Sequence, residues 1–126
     1  MNEVKVTPVT SFTIDRKTWL QGEGSDESYL FRSRDGKQCC LGFYMEACAV
    51  PRQKITSVMT PMGFRPELRT QVPGWLFNED HNNISDVCNS LMLVNDIEHE
   101  NHSDKEERIT SLFKKAGIEV TFTGEY

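Results

Sequence analysis

The chain has 126 residues, 37% hydrophobic and 26% charged, with 19 acidic against 14 basic side chains and a net charge of -5. This length predicts one globular domain over residues 1–126, large enough to build a core without metal or disulfide staples. The composition excludes a transmembrane helix, since no apolar run approaches the roughly 18–20 residues that span a bilayer.

The opening Met1-Asn2-Glu3-Val4-Lys5 lacks the apolar stretch of a secretory signal, so a cytoplasmic location is expected. Val4-Lys5-Val6 and Phe12-Thr13-Ile14 alternate in the manner of strands. Asp15 then caps a short helical turn carrying Trp19 and Leu20, and the glycine-rich, polar segment 21–26 reads as a loop. Residues 28–33 read as a strand with Tyr29 and Phe31 on one face and Leu30 on the other. Arg34-Asp35-Gly36-Lys37 follows as a hairpin turn, because Asp-Gly suits the positive φ that a type I′ turn needs at both central residues.

From Cys40 the period changes. Cys40, Leu41, Tyr44, Ala47 and Cys48 recur at helical spacing until Pro51 stops the helix. Residues 55–59 read as a strand, and Pro61, Pro66 and Pro73 forbid long elements after it. Trp75-Leu76-Phe77 is an apolar knot bound for the core, together with Trp19 and Phe113. Ile84, Val87, Cys88, Leu91 and Val94 form an amphipathic stripe, with Asn83 as N-cap and Asn95 as a left-handed stop. Ser103-Asp104-Lys105-Glu106 reads as a capping box opening a helix whose stripe is Ile109, Leu112, Phe113 and Ala116. Gly117 closes it, and Ile118, Val120 and Phe122 alternate as a last strand. The expected fold is a small mixed α+β domain, with about three helices packed on a small, mainly antiparallel sheet.

Candidate chemistry is sparse. The cysteines at 39, 40, 48 and 88 sit in largely apolar context, which predicts reduced, buried thiols, one of Cys39 and Cys40 pointing inward and the other lying near the strand–helix junction. With His81, His99 and His102 they number enough for zinc, but no Cys-x-x-Cys knuckle exists, and no metal or other cofactor is expected. A thiolate at the helix N-terminus would need a histidine base, and the histidines lie about 40 or more residues away along the chain. The loop holding Asp96, Glu98, His99, Glu100 and His102 resembles a cation-binding carboxylate cluster. It lacks the basic neighbours of a nuclease, with no Lys or Arg between residues 70 and 104. Gly22-Glu23-Gly24 lacks the frame and the Lys-Ser/Thr of a phosphate loop.

Charge is the stronger signal. Residues 79–107 hold nine acids against Lys105 alone. Such a field repels nucleic acid and attracts basic protein surfaces. Glu79, Asp80, Asp96, Glu98, Glu100, Asp104, Glu106 and Glu107 are therefore the candidate partner-binding residues, and no catalytic residue is assigned. Of these, Glu98, Glu100, Glu106 and Glu107 fall off the apolar stripes and are expected to tolerate charge reversal. The plainer alternative is a solvated acidic face.

Trp19-Leu20-Gln21-Gly22, the box Cys39-Cys40-Leu41-Gly42, and Leu93-Val94-Asn95-Asp96 together resemble a group of small, mostly uncharacterised proteins encoded by bacteriophages and prophages. The resemblance spans roughly residues 12–122, the box being its specific part. It implies an accessory protein acting in the host cytoplasm through protein–protein contact. One form would be an acidic inhibitor of a nucleic-acid-handling or defence complex, with no direct nucleic-acid or membrane binding. The alternative is a small cysteine-based or metal-dependent hydrolase using Cys39-Cys40 or the acidic-histidine loop.

Overall fold

Alternating apolar residues near the two ends of the chain make its only strands among the described residues. A computed structural model describes residues 6–21, 29–80, 82–97 and 101–125. Strand β1 (Ser11–Asp15) pairs in parallel with β2 (Glu119–Thr123), with Phe12 opposite Val120 and Ile14 opposite Phe122. Among the described residues five helices lie between them: α1 (Cys40–Ala47), α2 (Arg52–Ile55), α3 (Pro66–Arg69), α4 (Asp86–Asn95) and α5 (His102–Lys115). Single 3-10 turns occupy Arg16–Thr18, Pro61–Gly63 and Gly74–Leu76. None of these helices is long and apolar enough to cross a membrane.

The mainly antiparallel sheet with about three helices is thus replaced by a two-stranded parallel sheet and five helices. The reason lies in the connection. A parallel pair needs a long crossover, and here the whole helical region supplies it. Residues 28–33 and 55–59 were expected as strands, yet their described parts make only the isolated bridges Phe31–Thr56 and Arg32–Lys37. Ile55 closes the single turn of α2, and Ser57 has a φ of 61°, which breaks the extended run. The turn at Asp35-Gly36 is not type I′ either, since only Gly36 has positive φ. Arg32 instead grips Asp35 through Nε (3.1 Å) and Nη2 (2.6 Å), which widens the turn to Gly36 N donating to Arg32 O. That guanidinium holds the Asp35 carboxyl down at about 2.

Three end signals also shift. The N-cap of α4 is Ser85, whose hydroxyl accepts from Cys88 N, and Asn83 instead accepts from Ile84 N. Helix α5 starts one residue before the anticipated capping box, with Asn101 as cap, which frees Glu106 for another use. Asn95 is not a left-handed stop but the last helical residue of α4. Gly117 does close α5, at φ 78°. Of the early readings, Val4, Lys5 and residues 22–28 lie outside the described residues.

The core gathers on the inner faces of α1, α4, α5 and β1. Phe12 meets Phe113 and Tyr44 edge-on at 4.9 and 5.5 Å between ring centroids. Half-buried Trp75 joins them against Phe113 and donates its indole N–H to Tyr44 Oη at 3.1 Å. Such edge-to-face clusters add about 0.5–1.5 kcal/mol per pair beyond the buried area.

Candidate functional site

Trp19-Leu20, the start of the Cys39–Gly42 box and the end of α4 meet at one side chain. Asn95, 1% exposed, ends α4 with its carboxamide turned into the protein. Its Oδ1 accepts from Trp19 Nε1 at 2.7 Å and from Cys40 N at 3.0 Å. Its Nδ2 donates to Leu20 O at 2.8 Å and Asp96 Oδ1 at 2.9 Å. Both faces of the amide are used, as a buried polar group requires. Cys39, the N-cap residue of α1, makes no side-chain capping bond, so Asn95 satisfies the first N–H of α1 from another helix. Lys105, 2% exposed, reaches from α5 to donate Nζ to Asn95 O at 3.1 Å.

The Cys-Cys-Leu-Gly box is shaped by this node and by the chain behind it. Cys39 N donates to Tyr29 O, Leu20 N donates to Gln38 O, and Gln38 N donates to Thr18 O. At Gly42 the backbone of Leu30 comes so close that a Cβ would stand 1.9 Å from its carbonyl oxygen. Only glycine fits there. Cys40 Sγ lies 3.9 Å from Leu91 O.

Both box cysteines are buried, at 3% and 0% exposure, so the expected inward and outward pair is not found. The reason is that residues 18–20 and 29–30 cover the start of α1 on the side that would otherwise be open. Burial pushes Cys39 up to about 12 and Cys40 well above its ordinary value, with the neighbouring Cys39 adding to the shift. Cys88 is likewise raised to about 12 by burial, and Cys48 is raised by the same cause. Desolvation outweighs the helix terminus, and at neutral pH the thiols stay protonated and poorly nucleophilic. Among the described residues no three His, Cys, Asp or Glu side chains converge as metal ligands. His81, His99, Glu98 and Glu100 lie outside the described residues.

The remaining acidic candidates separate into two kinds. Glu106 is committed internally, receiving Arg16 Nε at 3.0 Å and Nη2 at 2.7 Å, while Arg16 Nη1 donates to Gly124 O. Charge reversal at Glu106 would set a lysine against that guanidinium, so it is not the neutral position anticipated from the stripes. Asp96 is half-buried and bound to Asn95, and Asp104 accepts from Asn101 Nδ2 in the first turn of α5. Glu79 and Asp80 stand exposed on the turn before α4, which Asn78 N closes onto Asn83 O. Glu107 is exposed beside a groove of about 580 Å³ between α4 and α5, above Val94 and Leu112. At its rim Leu93 is 62% exposed, the most exposed large apolar side chain among the described residues.

Asn95, Arg16 and Leu93 were missed as individual residues. Asn95 had a signal, because it stands four residues after Leu91 and seven after Cys88, on the buried stripe itself. Arg16 had none, its partner lying 90 residues away. No protein-family model matches this chain, and comparison with curated proteins and with solved structures gives no match.

Proposed function

We propose that this protein is a non-enzymatic binding module, a phage-type accessory protein that presents carboxylates to a basic surface of a host protein. A nucleic-acid-handling or defence complex is the partner class that suits it, since carboxylates can occupy a groove built for phosphate. The observation that carries the reading is the contrast in the site. Among the described residues the four thiols are buried and held protonated, whereas Glu79, Asp80, Asp104 and Glu107 are exposed. Exposed carboxylates of one sign steer encounter with a basic partner more than they add affinity.

The test starts by recovering, from a host lysate, whatever the immobilised chain retains, and then measures association with that protein. Glu79→Lys combined with Asp80→Lys changes two exposed positions that make no contact with the Asn95 node. The expected result is a slower association rate with a flatter salt dependence and an unchanged unfolding midpoint. An association rate and salt slope equal to those of the parent chain would leave the acids as a solvated surface.

A further inference from the structure

We draw no further inference here: the strongest candidate, the apolar groove between α4 and α5 with exposed Leu93 at its rim, carries none, since nothing in the structure shows what covers it.

Discussion

Two residues apart, the end of α4 reverses the usual partition of side chains. It buries an asparagine and exposes a leucine. The buried amide is tolerated because each of its polar atoms has two partners, so little of its desolvation goes uncompensated. The exposed leucine has no such account within the monomer, since about 62% of its surface stays in water. The comparison teaches how to sort this molecule. Its polar interior is structural, holding residues 19–20, 40 and 105 to one helix end, while an apolar side chain can stand in water singly at modest cost.

The sharpest way to break that sorting is Asn95→Ala. It strands Trp19 Nε1, Cys40 N and Leu20 O without their partner in a buried site. With about 1–3 kcal/mol for each unsatisfied group, reduced where a water can enter, the expected loss is about 3–5 kcal/mol. That is a large share of the stability of a domain this size. Urea unfolding followed by tryptophan fluorescence measures it, because Trp19 is itself a partner. A loss below about 1 kcal/mol would mean that the node does not hold these three segments together.

How much of this was legible in the sequence follows from where each signal sits. The end strands, α1, α4, α5 and Gly117 could be read because periodicity and caps are local properties of the chain. The middle could not. Residues 28–33 carry strand composition, but their backbone bonds go to residues 37 and 58 in single bridges, a choice made by tertiary packing. The parallel pairing of β1 with β2 was equally out of reach, since no local pattern records which distant strand will be a neighbour. At the site, Gly42 lets the start of α1 pack against the Leu30 backbone, in a segment whose strand-like composition does not make a strand. Asn95 was misread because asparagine at a helix end usually signals a stop, and here tertiary partners overrode that local preference.

The thiols give a second comparison, between a group that is buried and one that reacts. Their ordinary pKa is 9.0, and in the folded chain Cys39 and Cys88 rise to about 12 through burial. Between these values the unfolded chain loses protons that the folded chain keeps, so stability falls as pH rises from about 9 to 12. Each such thiol contributes a slope of up to about 1.4 kcal/mol per pH unit within that window. Cys88→Ala should therefore be less stable at pH 8 but decline less steeply toward pH 11. Lysines titrate in both proteins and cancel in the difference. Parallel stability curves for the two proteins would show that Cys88 is open to solvent, and fast alkylation at pH 8 would agree.

The smallest expected effect separates two adjacent glutamates on α5. Glu106 is half-buried and holds Arg16 in a two-point ion pair that ties the turn after β1 to the helix, with Arg16 also over the Phe122 ring at 5.8 Å. Glu107, one position on, faces the groove and solvent. Their charge is the same and only their surroundings differ. Glu106→Gln keeps the shape but removes the charge, and should cost about 1 kcal/mol, since the pair is partly screened by water. Glu107→Gln should change stability by less than about 0.5 kcal/mol. Salt extends the contrast, because added ions should shrink the Glu106 effect and leave Glu107 unmoved. Equal losses from both substitutions would mean that the acids of α5 act only through the overall field, and that the division between tied and outward-facing carboxylates does not hold.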